Sequence, residues 1–139
     1  MAGSLAICAI PDELKEELRK FRFSKSETTN ALILKINRET QCLELESRCE
    51  NYEFEEIQEE LPAQQPRYIL LSYKLEHSDG RFSVPMCLIF YTPIGCSPET
   101  QMLYAGSRNN LVEECQLTKN LEIRELDELN QEYLNSKMR

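Results

Sequence analysis

SPETQMLYAGSRNNLVEEC, residues 97–115, is the stretch from which the fold is read. Ser97 can accept a backbone N–H as an N-cap. Pro98 at the first helical position gives up nothing, because that N–H has no partner in a helix. At about 100° per residue, Leu103, Ser107, Leu111 and Cys115 form one i, i+4 line with Tyr104 beside it, and that line faces a core. Met102, Ala105 and Asn109 fall on the other side, with Gly106 next to them and no charge among them. A solvated helix face in a chain this rich in Glu should carry charge. A soft, small, uncharged face predicts either a docked partner or a second buried face under a loop.

Ahead of this helix the chain alternates helices with apolar runs. Pro11 and Asp12 open a helix whose Leu14, Leu18 and Phe21 share one stripe. Its end is basic, with Arg19, Lys20, Arg22 and Lys25 interleaved with Phe21 and Phe23. These cations either complement the helix dipole or form a docking patch for an acidic partner. Ala31 to Ile36 reads as a strand covered on both faces, and Gln41 to Glu46 as its alternating hairpin partner. Arg48 to Glu53 reads as a polar loop, and Phe54, Ile57 and Leu61 as a short amphipathic helix stopped by Pro62. Arg67 to Glu76 is one strand, and Arg81 to Tyr91 returns after the turn at Gly80. Pro85 cannot donate to a ladder, so an edge or bulge is expected there. After the long helix, Asn120 to Glu125 is a short strand, and Leu126, Leu129, Tyr133 and Leu134 lie on a final helix. The pattern predicts a single mixed α/β (α+β) domain, a central sheet with helices on both faces.

The bulk composition narrows the function. The chain has 139 residues, enough for one domain with one core. A net charge of -8 argues against a nucleic-acid binder, which needs a basic footprint, and against an anionic membrane surface. No apolar run approaches the roughly 18 residues of a membrane span, and LAICAI near the start is too short for a signal-peptide core. A cytosolic protein is expected. The six cysteines could make three disulfides. However, Cys42, Cys87 and Cys115 lie in apolar segments and no CxxC occurs, so the compartment argument favours reduced thiols. Cys96, at a helix N-terminus, is the one expected to have a lowered pKa.

Traces of catalysis or metal binding are absent. His77 is the only histidine and stands on a turn beside Ser78 and Asp79, where sequence neighbours do not make a triad. There is no HExxH, GxGxxG or Walker loop. The acidic run Glu53 to Glu60 has helical spacing without the oxygens and glycine of an EF-hand. Paired carboxylates meet in space rather than in sequence, so the residues alone leave a carboxylate hydrolase open. No metal or cofactor is expected.

Five blocks carry a resemblance: LRKFRF at Leu18 to Phe23, ELPAQQPRYI at Glu60 to Ile69, DGRFSVPMCLIF at Asp79 to Phe90, PIGCSPETQMLYAGSRNNLV at Pro93 to Val112, and LTKNLEIR at Leu117 to Arg124. In register, they resemble the glia maturation factor family, a branch of the actin-depolymerising-factor homology (cofilin-like) fold. The match implies one such domain over residues 4–139, with 1–3 as a flexible N-terminus.

The resemblance implies a function as well. Cofilin-like domains dock a long helix into the barbed-end cleft of an actin subunit, and Met102 matches the methionine that enters it. Glia maturation factors are described as binding the actin-related protein 2/3 complex instead, inhibiting branch nucleation and promoting debranching. Cofilins carry lysines at both ends of the long helix, where this chain has Glu99, Thr100 and Gln101, then Glu113 and Glu114. Losing several charge-assisted contacts, at roughly 1–3 kcal/mol each, implies weak or no actin binding. The partner-binding set is then Arg19, Lys20, Arg22, Gln101, Met102, Ala105, Arg108 and Asn109, on a monomer. Ser4 matches a phosphorylation control region of the superfamily. A filament-severing protein and a secreted growth or differentiation factor are the rival readings.

Overall fold

The computed structural model describes residues 9–23, 28–37, 39–95, 97–117 and 119–138. In chain order the elements are α1 (Asp12–Phe23), β1 (Asn30–Asn37), β2 (Cys42–Cys49), α2 (Phe54–Glu59), β3 (Arg67–Ser72), β4 (Leu75–Glu76), β5 (Phe82–Ser83), β6 (Met86–Tyr91), α3 (Pro98–Cys115), β7 (Asn120–Ile123), a 3-10 turn (Leu126–Glu128) and α4 (Gln131–Met138). Five strands make one sheet in the order β2-β1-β3-β6-β7. Consecutive strands pair antiparallel up to β6. The last pair, β6 with β7, is parallel, and α3 supplies the crossover that a parallel pair needs.

The continuous apolar runs explain the layers. Along β1, β3 and β6 the side chains point alternately to opposite faces, and both faces are covered. Leu32, Leu34, Ile36, Tyr68, Leu70, Leu88 and Phe90 meet Leu14 and Leu18 of α1 and Tyr104 and Leu111 of α3. Ala31, Ile33, Ile69, Leu71, Cys87, Ile89 and Tyr91 meet α2 and α4 through Phe54, Ile57 and Leu134. The result is the expected sandwich, helices on both sides of a mixed sheet.

The hairpin strand β2 runs to Cys49, where a polar loop was expected from Arg48 onward. A bulge accounts for the difference. Ile33 pairs with Ser47 but Leu34 pairs with Leu45, which leaves Glu46 as the extra residue. The bulge turns Leu43 and Leu45 toward α1 and α3 and Cys49 toward the opposite core. No single alternation fits both ends, so the spacing hides the strand's full length.

The bulge also aims Glu46 at Arg67, which donates to its two carboxylate oxygens at 2.8 and 3.1 Å. Arg67 is 7% exposed, and further bonds to the carbonyl of Pro66 and the side chain of Gln65 hold it. The guanidinium's hydrogen bond holds the Glu46 carboxyl below its ordinary value, more than burial raises it. A carboxylate lowered in the folded state contributes stability above its unfolded pKa and loses it as pH falls through the folded value. Glu46→Gln is therefore expected to cost about 1–3 kcal/mol at pH 7. Denaturation at a series of pH values should show this difference shrinking as acid protonates Glu46 in the native protein.

The single strand expected from Arg67 to Glu76 is two. β3 ends at Ser72, paired with Met86, and the next residue on the partner side is Pro85, interrupting the ladder. Leu75 and Glu76 instead pair with Ser83 and Phe82 in a separate two-stranded ribbon. Rather than sitting at an edge or bulge of a continuing strand, as expected, Pro85 ends both strands. Likewise β7 stops at Ile123 rather than Glu125, and the final helical stretch divides into the 3-10 turn and α4.

Candidate partner-binding face

The long helix begins as its residues dictate. Ser97 Oγ accepts from the backbone N–H of Thr100 at 3.2 Å, and Pro98 occupies the first turn. The buried line is Tyr104, Ser107, Leu111 and Cys115, with Leu103 only half-buried. Tyr104 heads it because its hydroxyl has work on the sheet. β1 extends past its pairing with β3, which ends at Leu34 and Tyr68. The exposed rung is filled by Tyr104, whose hydroxyl accepts from Ile36 N–H at 2.9 Å. Tyr68 in turn donates to the carbonyl of Tyr104, and the two rings pack at a tilt of 39° with centroids 5.3 Å apart. Tyr104→Phe leaves a buried N–H without its acceptor, which costs about 1–3 kcal/mol. A fall in Tm of roughly 5–10 °C is expected in thermal unfolding.

On the far side of α3, Met102 is 63% exposed, and Ala105, Gly106 and Asn109 are exposed with it. A methyl group built on Gly106 would meet nothing within 4 Å. Of the two readings of this face, the second buried surface is excluded among the described residues. Gln101 is half-buried beside it, and Glu113 and Glu114 are exposed at the other end. Ile94, in the loop that leads into the helix, is 72% exposed and extends the apolar character at that end of the molecule.

The basic residues of α1 do not form one patch. Arg19 and Arg22 line a small recess of about 110 Å³ against the C-terminal end of α3, with Lys15, Leu18, Glu114, Cys115 and Gln116. Arg22 donates to the Gln116 side chain at 2.6 Å. Arg19 stands 3.6 Å from Glu16, and Lys15 stands 3.8 Å from Glu114. Lys20 points to the other flank, into a larger groove of about 490 Å³ that includes Arg48 and Glu17. Arg108 belongs to neither group. It pairs with Glu122 at 3.5 Å and lies 5.6 Å from the Phe90 ring, half-buried at the border of β6 and β7. Arg108, a member of the partner-binding set, leans on the sheet, where Phe90 offers an aromatic face and Glu122 an opposite charge. From Met102 to Gln116 the helix rises roughly 21 Å, so the methionine and the arginine recess mark its two ends.

Cys42, Cys49, Cys87 and Cys115 are free thiols, so at most one pair of the six cysteines remains and three disulfides are ruled out. Burial pushes the Cys49 thiol up to about 11 and those of Cys87 and Cys115 up to about 12. Such thiols stay protonated and unreactive at neutral pH. His77 contacts Ser83 Oγ at 3.0 Å on the exposed ribbon. No helix among the described residues is long and apolar enough to cross a membrane. Ser4, Cys8, Lys25 and Cys96 lie outside the described residues, as does the 1–3 segment.

The part of this face that spacing does not reveal is Gln116. No Gly or Asn follows Cys115 to mark a helix stop. The partner of Gln116 stands 94 residues away in sequence.

Residues 7–139 match the family of cofilin/tropomyosin-type actin-binding proteins. Human glia maturation factor beta is 46% identical over 138 residues, 99% of this chain and 97% of the relative. Glia maturation factor of Drosophila melanogaster is 49% identical over 133 residues, 96% of both chains. The solution structure of glia maturation factor from Caenorhabditis elegans superposes with a TM-score of 0.84, 60% identity and 99% of both chains covered. With the same sheet sandwich and near-complete coverage by these relatives, the chain belongs to the glia maturation factor family, within the actin-depolymerising-factor homology (cofilin-like) fold.

Proposed function

We propose that this protein is a non-enzymatic regulator of branched actin that binds the actin-related protein 2/3 complex, inhibits branch nucleation and promotes debranching. The observation that supports this most is the uncharged exposed face of α3. Met102, Ala105 and Asn109 present a soft surface to solvent in a strongly acidic protein. Such a surface is stable in water but gains most when a cleft covers it. The acids at the helix ends, Glu99, Glu113 and Glu114, stand where cofilins carry lysines for actin. Each disfavours an acidic actin subunit and leaves an actin-related subunit as the target.

Mechanistically, α3 occupies a barbed-end cleft of an actin-related subunit, with Met102 and Gln101 at its leading end. Arg19, Lys20 and Arg22 orient the approach through partner carboxylates, and Arg108 holds α3 on the sheet. Occupying the cleft competes with a contact that holds the daughter filament. The branch is released by differential affinity, without covalent chemistry. A phosphate on Ser4 would add about two negative charges and oppose docking. This activity places the protein in the cytosol, as a monomer that binds actin weakly or not at all.

Single-filament imaging of preformed branches beside unbranched filaments tests the reading. Detachment of branches with bare filaments intact supports it. Cutting of the bare filaments makes the protein a cofilin in function. If neither occurs, the debranching role is wrong.

A further inference from the structure

α3 ends in a way that its sequence does not favour. Gln116 has φ 54° and ψ 46°, the left-handed conformation. Its N–H returns to Glu113, and the N–H of Leu117 returns to Val112 at 3.1 Å. This is a Schellman closure, and Leu117 and Val112 pack on the same core beneath it. The left-handed position in that closure favours glycine, because any Cβ is crowded there. A residue kept in a strained conformation points to a role for its side chain. Here that side chain accepts from Arg22 at 2.6 Å.

We propose that Gln116 is a positioning residue: it presets the Arg22 guanidinium in the α1–α3 recess to receive a carboxylate side chain of the partner. The proposal rests on the docking mode above and deepens it. Three side-chain cations, Lys15, Arg19 and Arg22, converge on the recess, against Glu114 on the same wall. Two of them stand 3.6 and 3.8 Å from their own acids, with all four side chains at least 36% exposed, so those pairs exchange readily for a better-placed carboxylate. Gln116 is a neutral acceptor. It fixes the rotamer of Arg22 without adding a charge that would compete with the incoming acid. Presetting a flexible cation reduces the side-chain freedom lost on docking, which strengthens binding without a new contact.

A double-mutant cycle tests it, with labelled protein titrated against purified actin-related protein 2/3 complex. Gln116→Gly removes the side chain and relieves the strain, so its Tm should equal or exceed that of the wild type. Its affinity should nevertheless fall roughly three- to tenfold. Arg22→Ala should weaken binding further, and the double variant Q116G/R22A should bind no worse than Arg22→Ala alone. A purely structural residue could not give higher stability, weaker binding and full coupling to Arg22 together. Wild-type affinity in Gln116→Gly, or losses that multiply in the double variant, would overturn the proposal. If Met102→Ala loses binding while Gln116→Gly does not, only this inference fails. Absence of wild-type binding overturns this inference and the docking mode alike.

Discussion

Met102→Asp is expected to weaken the proposed binding to the actin-related protein 2/3 complex at least 100-fold while Tm stays within about 2 °C of the wild type. The two halves of this result have separate causes. The side chain is 63% exposed in the free protein, so the fold gives up almost nothing with it. In a cleft the same side chain would be covered, and burying a methionine is worth about 1.5–3 kcal/mol. Aspartate loses that gain and must also be desolvated, a further penalty of several kcal/mol unless a partner cation meets it. Met102→Ala isolates the first part and should lose roughly 10- to 100-fold. Titration of both variants against the purified complex, beside their thermal unfolding, checks the pair. Equal affinity of a folded Met102→Asp variant removes α3's leading end from the interface.

Reversing the two arginines among the three recess cations, R19E/R22E, should produce a loss of similar size. Arg19's contact with Glu16 joins side chains 66% and 61% exposed, so its removal changes stability by about 1 kcal/mol or less. In the proposed docked state each arginine would make a charge-assisted contact of about 1.5–3 kcal/mol, and reversal would turn attraction into repulsion. At least 100-fold weaker binding follows at low salt. Raising the ionic strength should weaken the wild type but strengthen the double variant, because screening removes opposite interactions in the two. Titration at two salt concentrations separates this signature from partial unfolding, which would show the same salt response in both. A folded double variant with wild-type affinity and salt dependence would take Arg19 and Arg22 out of the site.

The two experiments probe opposite ends of α3, and the residues at those ends differ in how they could be read. Met102 was visible because a helix has a local period: residues 102, 105 and 109 share a face whatever surrounds them. Arg19, Lys20 and Arg22 were visible as a cluster because they stand close in sequence. At about 100° per residue Lys20 lies about 160° around the helix from Arg22, so the period sets it on another flank; which flank meets α3 depends on packing between elements. Arg108 shows the same limit. The resemblance put it in the partner-binding set, but its direction is set by Phe90 and Glu122 on two strands.

The sequence by itself determined the order of the main elements, the double-sided cover of the sheet and the uncharged stripe on α3. Each follows from a repeat within one segment: continuous apolar runs in Ala31–Leu34 and Tyr68–Leu71, and the 3.6-residue period of residues 97–115. Only the tertiary structure decided where β2 bulges, where β3 leaves the sheet, and which side chains meet Arg67, Tyr104 and Arg22. A bulge at Glu46 is defined by the register of its neighbour, and the end of β3 by a proline on another strand. The Arg22–Gln116 contact spans 94 residues. Spacing records what one segment turns toward; the partner waiting there is chosen by how separate segments pack.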